Sequence, residues 1–377
     1  MSDSDSLNIE IPENIRKLTP YVAGKTIDEV KQLYKPERIS KLASNENRMG
    51  CSPDVAKAVH QTLQIIQDYP DPVARKLRAV LAKKNGVYPE NILLAAGSES
   101  VISIICRTFF KPHEIAVTAD ATFVGFFVQA GVQGIEVKKV PVTNAYEFDI
   151  DGILNAVDKK TKAVYIANPN NPTGTYINNK SYKKLLESLP ETVLLITDEA
   201  YYEYAIEEPD YPSAIDDLQP NVIILRTFSK AYGLAGFRIG YAIAHKNLIQ
   251  TMMKVKLTFE PTSCAQAAAL AAINDTSFLT KSVKMVNDGK VRLYNFLKKH
   301  NIRYVESVSN SVMICLENEN EAADFTQAML EEGVIIRQAG AFGLPNCVRI
   351  TIGLPEDMKH FEKSFEKVMQ ESLPSLS

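Results

Sequence analysis

No C-x-x-C pair occurs among the five cysteines (Cys51, Cys106, Cys264, Cys315, Cys347), and the five histidines never approach one another at metal-ligand spacing. A structural metal and a disulfide scaffold are therefore not expected, and the cysteines read as reduced residues of core or surface. No run of about 18 uninterrupted apolar residues is present, so no segment reads as a membrane-spanning helix. The opening residues, MSDSDSLNIEIPENIRK, lack the basic-then-apolar layout of a secretory signal, and a cytoplasmic location is expected. Lysines and arginines are spread along the chain rather than clustered, with a formal charge of −3 and a pI near 6.1. That leaves no electrostatic footprint for nucleic acid or an anionic membrane, and a small-molecule partner is expected instead. There is no internal repeat, low-complexity tract or long linker. No G-x-G-x-x-G follows an early strand, which excludes a nucleotide-binding oxidoreductase of the doubly wound type.

What is present fits an α/β chain. At 377 residues the protein is too long for one compact core, so a large domain, a smaller one and a cleft between them are expected. The stretches NILLAAG, IAVTA, AVYIANP, VLLITDEA and NVIILRT are short, apolar and rich in β-branched residues, as in a parallel sheet covered by helices on both faces. Between them, residues 100–110 (SVISIICRTFF) and 180–189 (KSYKKLLESL) carry apolar residues at helical spacing and suit crossover helices. After Pro261 an alanine-rich stretch leads into a charged amphipathic run. SVMICLEN, GVIIRQ and CVRITIG then supply short strands of a smaller α+β unit. The expected division is an N-terminal arm with part of the small domain at 1–45, a large domain at 46–265 and a small domain at 266–377. The acidic segment YAIEEPDYPSAIDD, residues 204–217, reads as a solvated surface loop.

Open α/β sheets bind ligands at the carboxyl ends of their strands, and four polar constellations fall there. GSES, Gly97 to Ser100, joins a strand to a helix and could aim free backbone N–H groups at a phosphate. The plainer alternative is an N-cap by Ser98 or Ser100. NPNNPTG, Asn168 to Gly174, fixes a sharp turn from which Asn171 could donate to a ring hydroxyl. In TDEAYYEY, Asp198 ends an apolar strand. If buried it needs a cationic or donor partner, and a protonated heterocyclic nitrogen would serve; capping of the next helix, by Asp198 or by Glu199, is the alternative. Finally, TFSKAYGLAGFRIGY places Ser229, Lys230 and Arg238 among glycines. A partly desolvated lysine there can act as a nucleophile toward a carbonyl, with Ser229 and Arg238 clamping an anion beside it. Two cations snorkelling from an amphipathic element are the ordinary alternative, but no helical stripe exists in this stretch.

The ordered set NPTG, D-E-A-Y, then S-K with an arginine eight residues beyond the lysine resembles the pyridoxal-phosphate-dependent aminotransferases of fold type I. From about Leu18 to Gly353 the chain is similar to the histidinol-phosphate aminotransferase family, with LTPYVAGK, KLASNEN, YPDP and FGLPNCVRITIG as narrower markers. The resemblance implies that Lys230 carries pyridoxal 5'-phosphate covalently and moves the substrate proton. Ser229 and Arg238, with Ser98 and Glu99 of GSES, hold the cofactor phosphate. Asp198 pairs with the pyridinium nitrogen, Asn171 and Tyr201 bond the ring's phenolic oxygen, and Phe123 stacks on the ring. Tyr69 reaches the cofactor of a second subunit, which implies a homodimer. Tyr21, Asn47, Arg337 and Arg349 contact substrate, the implied substrates being histidinol phosphate and 2-oxoglutarate with glutamate as product. Three departures stand out from the family pattern: Glu99 where the acidic residue is usually one step away, Phe123 where tyrosine is common, and Arg48 in place of proline. An aromatic amino-acid aminotransferase is the nearest alternative activity, followed by a phosphothreonine-type decarboxylase. A non-catalytic binding protein on the same scaffold would be expected to lack Lys230 or Asp198.

Overall fold

The computed structural model describes residues 9–20 and 24–371. In chain order the strands are β1 (Ser40–Lys41), β2 (Ile92–Ala95), β3 (Ile115–Ala119), β4 (Glu136–Val140), β5 (Thr161–Ala167), β6 (Leu194–Asp198) and β7 (Val222–Thr227). They continue with β8 (Gly240–Ala244), β9 (Tyr304–Val305), β10 (Ser311–Cys315), β11 (Val334–Ile335), β12 (Arg337–Gln338) and β13 (Cys347–Thr351).

A seven-stranded sheet runs in the order β2-β8-β7-β6-β5-β3-β4. It is parallel except for β8, which lies antiparallel to both β2 and β7. Every residue of β6 and β7 is buried, because helices cover both faces and a strand in that position has no solvent side. Alternate residues accordingly enter different cores. Val164, Ile166, Leu195 and Ile224 join one cluster, whereas Tyr165, Leu194, Ile196, Ile223 and Leu225 join the other, following the two-residue period of a strand. The five expected strands and both expected helices are present, the latter as Ser98–Phe109 and Asn179–Ser188. At one edge, β4 (EVKKV) is largely exposed, and the charges along it discourage further pairing.

The second unit is a four-stranded sheet, β12-β13-β10-β9. Its core includes residues of the helices Thr276–Lys299, Glu319–Glu331 and Pro355–Glu371. GVIIRQ, expected as one strand, is two: β11 pairs in parallel with β1, and β12 pairs antiparallel with β13. The β1 pairing ties the N-terminal arm to this unit, and Ser40 Oγ reinforces it by donating to Asp357 Oδ1 over 2.9 Å. The alanine-rich helix Ser263–Asn274 packs into the large-sheet core through Ala265, Ala268, Ala269, Ala272 and Ile273. The change from one core to the other therefore falls at its C-terminal end, near Asp275.

The acidic segment 204–217 is not the solvated loop expected. Tyr204, Ala205, Tyr211 and Ala214 are buried. Tyr211 Oη donates to the Asn168 carbonyl (2.6 Å), and the Ala214 N–H donates to Glu199 Oε1 (2.9 Å). Glu207, Asp210 and Asp216 are exposed, while Tyr211 closes over the end of β5 and Tyr204 packs into the core of the second unit.

Candidate active site

The carboxyl ends of β5, β6 and β7 and the start of the helix Ser98–Phe109 surround one cavity. Of the residues expected at the site, Ser98, Glu99, Phe123, Asn171, Asp198, Tyr201, Ser229, Lys230 and Arg238 line it, together with Pro169, Ala200 and Thr227.

One end is built for an anion. The helix Ser98–Phe109 starts at Gly97 with no side-chain cap, and Ser100 Oγ is turned away to Glu260 Oε2 at 3.1 Å. The serine caps considered from the sequence are therefore not made, and the first-turn N–H groups face the cavity end with the positive pole of the helix behind them. Gly97 has φ +91°, and a Cβ there would stand 2.9 Å from an Arg238 guanidinium nitrogen. That backbone conformation is one glycine adopts far more readily than other residues. Ser229 Oγ, which accepts from Thr227 Oγ1 at 3.0 Å, completes this end.

The other end holds a carboxylate short of positive charge. Asp198 is buried and accepts from Tyr165 Oη at 2.7 Å and from the Ala200 N–H at 3.1 Å. Burial pushes its pKa up to about 6, against the opposing influence of those two donors and of Lys230. Burial likewise raises the Tyr165 hydroxyl well above the ordinary range, so it stays a donor. Between the ends, Lys230 Nζ donates to the Ser44 carbonyl (3.3 Å) and lies 5.6 Å from the Tyr201 ring centre. Tyr201 is buried, and its Oη accepts from Asn45 Nδ2 at 2.8 Å.

Toward the second unit, Arg349 is buried in β13. It donates to Asn171 Oδ1 and, at 2.6 Å, to the Ala43 carbonyl, with the Phe342 ring 5.2 Å away. Arg337 stands directly opposite Arg349 in the β12–β13 ladder, so both side chains leave the same face of the sheet. Tyr69 does not line this cavity. It is exposed and stacks on Phe259 with ring centres 4.2 Å apart.

Asn47 is bonded within the scaffold. Its Nδ2 donates to the Ala231 carbonyl (2.9 Å) and Ser282 Oγ (2.7 Å), and its Oδ1 accepts from the Met49 N–H (3.0 Å). The amide ties three chain segments together. Tyr21 lies outside the described residues. Arg48, standing where the family pattern has proline, approaches Asp357 Oδ2 to 3.9 Å.

Residues 37–365 match the family of class I and II aminotransferases. The chain is 40% identical over 365 residues, covering 96% of itself and 99% of the relative, to a histidinol-phosphate aminotransferase of Geobacillus sp.. This chain belongs to the histidinol-phosphate aminotransferase family. A second member, from Bacillus licheniformis, is 40% identical over 358 residues, 94% of this chain and 98% of that one. The fold superposes with a TM-score of 0.90 and 28% identity, over 99% of this chain and all of the other, on the crystal structure of histidinol-phosphate aminotransferase from Sinorhizobium meliloti in complex with pyridoxal-5'-phosphate.

Within the family frame, the residues present fit such a cofactor by their own chemistry. An uncapped helix start with Arg238 and Ser229 suits a phosphate, and a buried carboxylate lacking a cation suits a protonated ring nitrogen. Several contributors escaped the sequence reading. Tyr165 left a signal: it is the one hydroxyl in the buried AVYIA run, and its side chain joins the same core as Leu194 and Ile196, whose β6 face Asp198 shares. Ser44 contributes only its carbonyl, which no side-chain pattern announces.

Proposed function

We propose that this chain transfers the amino group between L-histidinol phosphate and 2-oxoglutarate, with pyridoxal 5'-phosphate bound at Lys230. When bound, the cofactor ring supplies the electron sink for breaking the substrate's α-carbon–hydrogen bond. The protein supplies the rest. The start of the helix Ser98–Phe109, Ser229 and Arg238 hold the cofactor phosphate, and Phe123 covers the ring. Asp198 keeps the ring nitrogen protonated. The Lys230 amine takes the α-carbon proton as general base and, as the conjugate acid, delivers it to the cofactor side rather than back to the α-carbon. Two substrates then use one site in turn, so ping-pong kinetics are expected.

The observation that carries the substrate assignment is the direct opposition of Arg337 and Arg349 across β12 and β13. Two guanidiniums on one face suit a phosphate dianion better than a lone carboxylate, and Tyr21 belongs to the same proposal. The test is kcat/KM for histidinol phosphate beside phenylalanine and tyrosine, with 2-oxoglutarate as acceptor. A clear preference for the phosphate ester supports the assignment, and parity or the reverse moves the chain to aromatic amino acids.

The homodimer is part of this proposal. Tyr69, Leu63, Ile65, Ile66, Leu257 and Phe259 are all exposed apolar or aromatic residues, and a second copy would cover them while bringing Tyr69 to its neighbour's cofactor phosphate. We also place the enzyme in the cytoplasm; no helix among the described residues is long and apolar enough to cross a membrane. The domain division is proposed as 1–45, 46–265 and 266–377, with the packing of Ser263–Asn274 favouring a second boundary near Asp275.

A further inference from the structure

Three consecutive residues of the N-terminal arm each hold one residue of the site. The Ala43 carbonyl accepts from Arg349, the Ser44 carbonyl from Lys230, and Asn45 Nδ2 donates to Tyr201 Oη. Asn45 is the one that acts through its side chain. It is buried and sits at φ +57°, a left-handed conformation that asparagine tolerates better than most residues.

The way round its amide is fixed by the second unit. Thr351 Oγ1 accepts from the Asn45 backbone N–H at 3.0 Å and donates to Asn45 Oδ1 at 2.9 Å. Asn45 Nδ2 then has one proton for Ser311 Oγ, 3.2 Å away, and one for Tyr201 Oη, 2.8 Å away. Ser311 and Thr351 are register partners in the β10–β13 ladder, so the small sheet sets the amide as a unit. Tyr201 Oη thereby receives a hydrogen bond from behind, and among the described residues it has no acceptor for its own proton. That proton is left to the cavity.

We infer that Asn45 is a positioning residue that orients the Tyr201 hydroxyl as a donor into the cavity, toward an oxyanion of the bound cofactor. The inference rests on the cofactor reading above. Donation to an oxyanion favours its ionised form, so losing it raises the pH midpoint of the lysine-bound chromophore, read from its absorbance.

The experiment is a double-mutant cycle on that midpoint in the loaded enzyme. Tyr201→Phe raises it by about one unit, the size of one lost hydrogen bond to a charged group. Asn45→Gly, which suits the left-handed backbone, raises it in the same direction by about half that. Asn45→Gly added to Tyr201→Phe produces no further rise. Thr351→Val, which removes the hydroxyl orienting the amide, repeats the Asn45→Gly signature, and Thr351→Ser restores the parent value; this pair stands in if Asn45→Gly fails to fold. No shift on altering Asn45 or Thr351 while Tyr201→Phe does shift, or an equal shift with and without Tyr201, overturns the inference alone. A parent enzyme that binds no titrating chromophore overturns the cofactor reading and this inference with it.

Discussion

Asp198 and Glu199 are consecutive, both buried, and live in different chemistry. Glu199 is closed by an ion pair: its Oε2 accepts from Arg226 Nε at 2.8 Å and meets a second guanidinium nitrogen at 2.7 Å, while its Oε1 takes the Ala214 N–H. Arg226 lies over the Tyr202 ring at 3.5 Å and donates to Asn85 Oδ1 at 2.7 Å. Asp198 has a phenol and one backbone N–H but no bonded cation. The same type of side chain is thus completed where it fastens the acidic segment to the sheet, and left incomplete where it faces the cavity. A carboxylate taken from water without a counter-charge is costly, and at Asp198 a protonated ligand nitrogen would supply that charge.

The largest effect is expected at Lys230. Lys230→Ala should abolish transamination, and borohydride reduction of the parent should fix the cofactor on Lys230; sustained turnover by the variant, or label on another lysine, contradicts the assignment. Next, Asp198→Asn should lower kcat by several kcal/mol of transition-state stabilisation, about 3–4, with little change in melting temperature. Glu199→Gln should do the opposite, destabilising the fold by about 3–5 kcal/mol because Arg226 is left buried and unpaired, while molecules that remain folded keep near-parental kcat. Similar activity losses in both variants would erase the distinction. A smaller effect is expected at Arg337: Arg337→Ala should raise KM for histidinol phosphate by about tenfold or more while phenylalanine turnover changes little. Equal losses on both substrates would mark a structural arginine. The smallest is Tyr69→Phe, which should weaken cofactor binding by about 1 kcal/mol in a dialysis titration and leave the chemistry at Lys230 intact.

The sheet was legible in the sequence because parallel strands with no solvent face are continuously apolar. β4 was not, since an edge strand reading EVKKV follows the rules of surface rather than core. β8 is less legible because GYAIA closes a glycine-rich run that carries Lys230 and Arg238 rather than a continuous apolar stretch. The segment 204–217 was misread for a related reason: its carboxylates dominate the composition, and the tyrosines that anchor it count for little in an average. The site divides the same way. Asp198, Lys230 and Arg238 stand out as charges beside apolar strands. Asn45 and Asn47 are indistinguishable by type in SNEN, and the left-handed turn at Asn45 is what sends one amide to Tyr201 and the other into the scaffold.

Asp198 differs from Glu199 in taking its counter-charge from a ligand, and cofactor binding against pH tests that directly. Without a cationic partner, burial pushes the Asp198 carboxyl up to about 6 from its ordinary 3.8. A raised carboxyl pKa favours the folded protein below the unfolded value, and that advantage is lost as pH rises through about 6. A ligand cation reverses the penalty only when Asp198 is ionised. Cofactor affinity in the parent should therefore fall below pH 6, toward about tenfold per unit, and the cofactor-induced rise in melting temperature should grow between pH 5 and 7. Asp198→Asn should lack this dependence, and titration of the ligand itself, common to both proteins, cancels in the difference. A difference between parent and Asp198→Asn that stays flat from pH 5 to 8 would contradict the account.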